Sequence, residues 1–208
     1  MKELPFSSAF KSGSNGESRH FLKTAAGAFA KKGYHRTTVD EIAGALGVAK
    51  GTIYYHFKSK EELYLAVIHE GAYLLEEQMR RSISAAKTPA EKIKRIIECM
   101  LSFIEKENDL VFLFIKELCS TEIQRALQAQ MLCGSLRIIS GIMEEGLKNG
   151  SFKKVNPEIT ARSLYGMIII SALHYLSYAE TIPHDQVITA IEKIFLEGTL
   201  ATDYREGL

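Results

Sequence analysis

The sequence predicts an all-α chain with a small basic N-terminal domain and a larger acidic helical body, on three observations. Apolar residues recur with helical period along most of the 208 residues, and no stretch alternates with period two between turn signals. Start signals precede those stretches: Thr38-Val39-Asp40-Glu41, Ser59-Lys60-Glu61-Glu62 and Thr88-Pro89-Ala90-Glu91. Residues 1–60 carry ten Lys/Arg against four Asp/Glu, a net of +6, whereas residues 61–208 carry sixteen against twenty-one, a net of −5. The overall charge of +1 would not suggest nucleic acid, but a basic end on an acidic body directs that end to DNA. About nine helices and no sheet are expected.

Residues 1–16 have no period, end in Lys-Ser-Gly-Ser-Asn-Gly, and read as a flexible arm. Residues 17–62 read as the small basic domain and 63–208 as the larger acidic helical domain. From Glu17 to Lys32, Phe21, Leu22, Ala25, Ala28 and Phe29 form one helical stripe, which Gly33 ends. The connection Tyr34-His35-Arg36 reads equally as solvated loop or as phosphate contact. Thr38 caps a short helix with Ile42, Ala43 and Leu46 on one face, and Gly47 stops it where a positive φ is wanted. A second short helix starts at about Ala49, with Ile53 and Phe57 inward; Val48 is expected to join their core.

Two short helices across a glycine turn form the helix-turn-helix pattern, whose second helix enters the major groove. Lys50, Gly51, Thr52, Tyr54, Tyr55 and His56 are left facing outward. Lysine can meet a phosphate or a guanine edge, and hydroxyls and imidazole can bond phosphate oxygens. Taken singly, each is also what a solvated helix face would carry. Lys60 opens the next helix, to about Ser82, at an end where the dipole favours anions; a DNA phosphate bound there would account for a lysine. With Thr37 and Thr38, these residues make up the candidate DNA-binding set. The Lys60–Ser82 helix is expected to be the sole covalent link between domains and so the lever between them.

The joint order of these residues is far more specific than any one of them. From Arg19 to Leu63 the chain resembles the TetR family of bacterial transcriptional regulators. The resemblance runs through Phe21-Leu22, Phe29, Gly33-Tyr34, Thr37-Thr38, Ile42-Ala43, Gly47-Val48, Lys50-Gly51-Thr52, Tyr54 to Phe57 and Lys60 to Leu63. Ala49 departs from it, standing where the family often places a serine that caps the helix and contacts phosphate.

Further helices are expected from Pro89 to about Lys106, with Ile93, Ile96, Ile97, Met100 and Ile104 inward, and from Leu110 to Leu118, capped by Asn108 or Asp109. Others should run from Thr121 to Asn149-Gly150, from Asn156-Pro157 to about Tyr178, and from Pro183 to about Leu200. The last two are apolar almost all round, which predicts burial on every side. Pairing with the same helices of a second copy would achieve that, so Ile168, Ile169, Leu173, Ile191 and Phe195 are the expected homodimer interface. The TetR resemblance implies the same dimer. It also implies an inducer pocket, for which Phe103, Phe112, Phe114, Leu118, Met131, Met143 and Tyr165 are candidates, with ordinary core packing as the alternative for each.

Other chemistries find no footing. HExxH, GxSxG, Walker and dinucleotide patterns are missing, and the six histidines have no metal-ligand spacing, so neither an enzyme nor a cofactor is expected. The three cysteines are scattered, without disulfide or zinc spacing. Without a signal-peptide core or a membrane-spanning stretch, a cytoplasmic protein is expected. The expected function is that of a ligand-responsive repressor, released from a palindromic operator in double-stranded DNA by a small apolar or amphipathic effector. The alternative is an operator-binding protein without a small-molecule effector, controlled by a protein partner or constitutive.

Overall fold

A computed structural model describes residues 15–118, 125–177 and 183–201, and nine helices are found among these described residues. They are α1 (Asn15–Arg36), α2 (Val39–Leu46), α3 (Lys50–His56), α4 (Lys60–Ser82), α5 (Pro89–Lys106), α6 (Asn108–Leu118), α7 (Arg125–Lys148), α8 (Pro157–Ser177) and α9 (His184–Thr199). The chain divides into two compact units, residues 1–73 with 107–125 and residues 74–106 with 126–208.

The first unit is built around α1. Phe21, Leu22, Ala25 and Phe29 are buried with Ile42, Ile53, Phe57 and Leu63. The Phe21 and Phe57 rings stack at 6.1 Å, and Tyr64 meets Phe29 edge-on at 4.9 Å. Gly33 breaks α1 at φ 75, ψ 162, a backbone that L side chains rarely adopt, and one more helical turn carries the chain to Arg36. Val48 is exposed rather than part of this core, because the left-handed turn at Gly47 aims it outward.

Helix α6 belongs with this unit, not with the acidic body to which residues 63–208 were assigned. Leu110, Val111, Leu113 and Ile115 are buried, and α6 packs on α1. A Cβ at Gly27 would stand 3.1 Å from Asp109 Oδ2, and one at Gly71 would stand 3.3 Å from Leu110 Cδ2, so both glycines keep α6 close. Glu107, just ahead of α6, accepts from Arg19 at 2.7 Å and pairs with Lys23 at 3.1 Å. The chain therefore passes between the units three times, and α4 is not the sole link expected.

In the second unit α5 presents Ile93, Ile96, Ile97, Met100 and Ile104 inward, as its period predicts, and packs on α8 and α9. Thr88 and Glu91 exchange both capping bonds at its start, 3.1 and 3.2 Å. Lys92 donates to both Glu145 oxygens, at 2.6 and 2.8 Å, tying α5 to α7. Asn156 Oδ1 accepts from Ile159 N at 3.0 Å and caps α8. An isolated antiparallel bridge between Phe152 and Leu200, with Lys153 N donating to Thr199 O at 2.8 Å, fixes the α7–α8 connection to the end of α9.

The expected dimer residues are corrected here. Ala161, Leu164, Tyr165 and Ile168 form the inward stripe of α8, and Ile191, Phe195 and Leu196 that of α9, so Ile168, Ile191 and Phe195 are core of a single chain. Ile169 is half-buried, and the Leu173 side chain lies outside the described residues. The outward apolar residues are Ile159, Ile170 and Ile194, 63%, 66% and 64% exposed. Helices apolar all round reconcile both facts, with one stripe inward and the other toward solvent. The expected start at Thr121 and the expected end at Tyr178 lie outside the described residues, as does the N-terminal arm up to residue 14.

Candidate nucleic-acid interface

Local capping fixes α2 against α1. Thr38 Oγ1 accepts from Glu41 N at 3.2 Å, Thr38 N donates to Glu41 Oε2 at 3.1 Å, and Lys32 Nζ donates to Glu41 Oε1 at 2.6 Å. The Lys32 bond, seconded by the Thr38 amide, holds the Glu41 carboxyl below its ordinary range. Gly47 closes α2 in the left-handed region at φ 67, and Val48 N donates to Ala43 O at 3.0 Å. That turn sets the direction of α3.

Helix α3 buries Ile53, and Phe57 caps its end through a 2.9 Å bond from Phe57 N to Ile53 O. Lys50, Gly51, Thr52, Tyr54 and Tyr55 all face solvent, Tyr55 at 85% exposure. His56 is half-buried and edge-on to Tyr55 at 5.0 Å. A Cβ at Gly51 would meet nothing within 4 Å, so packing does not require glycine there; what glycine leaves is a bare stretch of helix backbone. Ala49 provides no side-chain cap, the consequence of the missing serine. Lys50 Nζ donates to Asp40 Oδ2 at 2.6 Å and lies 5.9 Å from the Tyr54 ring centre. That bond and the Asp40 charge raise the Lys50 ammonium above its ordinary pKa.

Two members of the candidate DNA-binding set have other work. Thr37 is fully buried; its hydroxyl donates to Gly33 O at 2.8 Å and lies 3.1 Å from Ala28 O, and its N–H donates to Gly33 O at 3.2 Å. It closes the end of α1 and offers nothing to DNA. Lys60 Nζ donates to Tyr34 O at 2.8 Å, Thr37 O at 3.0 Å and His35 O at 3.3 Å, and lies 4.6 Å from the Tyr34 ring centre. The phosphate clamp read into its ammonium is thus corrected: all three of its N–H donors go to carbonyls that the end of α1 leaves without helical partners. Arg36 is turned back likewise, with Nε donating to Lys32 O at 3.0 Å. Asp40, which no motif singled out, is the residue that sequence reading missed. Its only signal was a carboxylate in the first turn of α2, common to many helices.

The ligand candidates fall in both units. Phe103, Met143 and Tyr165 are buried in the second; on α6, Phe112 is exposed and Phe114 half-buried. The Leu118 and Met131 side chains lie outside the described residues. Burial, and then the nearby charge of Glu76, push the Tyr165 phenol above its ordinary pKa. The Glu76 carboxylate lies where a Cβ on Gly134 would be, so any side chain at 134 would push the flexible end of Glu76 aside. Burial raises the Glu76 carboxyl, against the pull of Arg80 and Arg137. A surface pocket of about 410 Å³, lined by Lys94, Thr189, Glu192, Lys193 and Glu197 among others, includes none of the candidates. Among the described residues no cluster of three or more His, Cys, Asp or Glu could hold a metal, and no helix is long and apolar enough to cross a membrane.

Residues 21–67 match the family described as "Bacterial regulatory proteins, tetR family", and residues 86–175 match "Tetracyclin repressor-like, C-terminal domain". The fatty acid metabolism regulator protein of Bacillus subtilis is 30% identical over 141 residues, 67% of this chain and 73% of that protein. The chain belongs to the TetR family. The transcriptional repressor KstR2 of Rhodococcus jostii is 26% identical over 157 residues, 74% of this chain and 76% of its own length. The solved structure of the transcriptional regulator FadR from Bacillus subtilis in complex with stearoyl-CoA superposes with a TM-score of 0.79 at 25% identity, covering 86% of this chain and 98% of that one. As a TetR-family member the protein is a DNA-binding transcriptional regulator, and α2 with α3 is its helix-turn-helix.

Proposed function

We propose that this regulator is a repressor that binds a palindromic operator as a homodimer and leaves it when a fatty acyl-coenzyme A thioester binds the second unit. The likeness to the fatty acid metabolism regulator, across two thirds or more of both chains, carries the choice of effector class. The stearoyl-CoA complex of a structurally similar regulator supports it. On DNA, Lys50, Gly51, Thr52, Tyr54, Tyr55 and His56 of α3 face the groove, with Thr38 at the rim. Two such helices must stand about 34–36 Å apart to read successive turns, which two-fold pairing of the protein supplies. The outward Ile159, Ile170 and Ile194 favour pairing through α8 and α9. Phe103, Met143 and Tyr165 supply the wall for the acyl chain, and the site of action is the cytoplasm. By linkage, an effector that prefers the DNA-incompetent arrangement lowers operator affinity by as much as DNA lowers effector affinity.

The test is fluorescence anisotropy of a labelled duplex from the gene's own upstream region, titrated with protein and then with stearoyl-CoA, free coenzyme A or stearate. Release by the thioester alone is the expected result. Tight binding that none of the three reverses would favour the effector-free operator-binding reading instead.

A further inference from the structure

Lys50 opens α3 under unfavourable conditions for a cation. The first turn of α3 has no acidic residue and Ala49 gives no side-chain cap, so the positive end of the helix dipole faces the ammonium. Asp40 has the opposite situation. It lies in the first turn of α2, where the dipole favours a carboxylate. The carboxylate is therefore the settled partner, and the lysine reaches to it at 2.6 Å, with Tyr54 alongside. The other acid of that turn, Glu41, is engaged with Lys32 and Thr38 N. The Lys50 and Asp40 side chains are 50% and 61% open to solvent, so the pair adds little to stability but sets the charge met by an approaching DNA.

We propose that Asp40 is a specificity-determining residue that withholds Lys50 from the DNA backbone and presents it to a base edge. The inference rests on the reading of α3 as the helix that enters the groove; it does not depend on the effector. Non-specific binding follows the number of phosphates that cations neutralise. A lysine already neutralised by a carboxylate adds nothing to that number, and the carboxylate itself repels phosphate. A base edge with acceptors, such as guanine O6 and N7, can draw the ammonium away, because it bonds directionally and carries no full charge to be repelled by Asp40. Asp40 thus lowers affinity for all DNA while sparing sites that place the right base opposite Lys50.

The experiment measures binding of the full chain to a random-sequence duplex and to its operator, from 50 to 200 mM salt, for the wild type, Asp40→Asn, Asp40→Glu and Lys50→Ala. Asp40→Asn frees one cation, so the slope of log K against log salt on the random duplex should steepen by about 0.9, and the operator-to-random ratio should fall. Asp40→Glu should restore both. Lys50→Ala should weaken the operator complex while leaving the random-duplex slope at its wild-type value. A purely structural role for the pair would move the melting temperature and not the slope. If the wild type binds and Asp40→Asn keeps the wild-type slope, the proposal is overturned while the DNA-reading role of α3 stands. If the wild type shows no salt-dependent binding to either duplex, that role falls and the proposal with it.

Discussion

The guanidinium of Arg19 donates a 2.7 Å hydrogen bond to Glu107, and the two side chains differ sharply in exposure, 56% against 5%. Removing either side of such a pair should not cost the same. Glu107→Gln leaves solvated cations behind and should cost about 1 kcal/mol or less. Changing Arg19 and Lys23 together to Met strands a buried carboxylate, and the cost should approach the ~3–5 kcal/mol of an uncompensated buried charge. Urea denaturation of the two variants measures both; equal costs would mean that Glu107 is better solvated than its burial indicates.

Lys60→Met should destabilise the fold without touching the salt dependence of DNA binding. Its ammonium serves the carbonyls of Tyr34, His35 and Thr37, and leaving such groups without partners costs about 1–3 kcal/mol. A thermal melt should move down while the slope of log K against log salt stays put. A slope shallower by about 0.9 would return Lys60 to the phosphate-contacting set.

The outward residues of α8 and α9 can be separated from the inward ones by charge. Ile170→Asp and Ile194→Asp should dissociate the dimer and leave each chain folded, because both positions already face solvent. Ile168→Asp should unfold the chain instead, since a charge there is buried without a partner. Sedimentation and circular dichroism on the same samples check this. A dimeric, fully folded Ile170→Asp/Ile194→Asp double variant would place the interface elsewhere.

Glu76 should make stability depend on pH in the direction opposite to an ion-paired acid. Its folded pKa is raised by burial, so the native state holds the proton more tightly than the unfolded chain. Stability contributed by the protonated form is present below the unfolded pKa and is lost as pH rises through the raised one. Glu76→Gln should therefore flatten the decline in melting temperature above the ordinary carboxyl range. A wild type that gains stability over that window, with the variant flat, would mean that Arg80 and Arg137 outweigh burial.

What could be read from sequence was what lies within a few residues. Thr38 and Glu41 bond each other across three positions, and Gly47 turns the chain at one, so α2, the turn and α3 were legible in order. The inward stripe of α5 was legible for the same reason. Lys60 was misread because its partners stand 23 to 26 residues away, and only tertiary folding brings carbonyls of the end of α1 to it. Thr37 and Thr38 look alike in sequence, yet one is fully buried and the other exposed, a difference made by the break at Gly33. On α8 and α9, period alone could not say which of two apolar stripes faces the chain's own core. Ile168 and Ile170 differ by two positions and lie on opposite sides.

The family's N-terminal match ends at residue 67, but the helix that closes this unit over α1 begins only at Asn108. A chimera that grafted residues 1–67 onto a foreign regulator would separate Arg19 and Lys23 from Glu107, and Gly27 from Asp109. The transplant would bring its own reading head and inherit a stranger's lid. Retargeting this protein by exchange of parts therefore calls for moving α6 along with the helix-turn-helix, two pieces of gene rather than one.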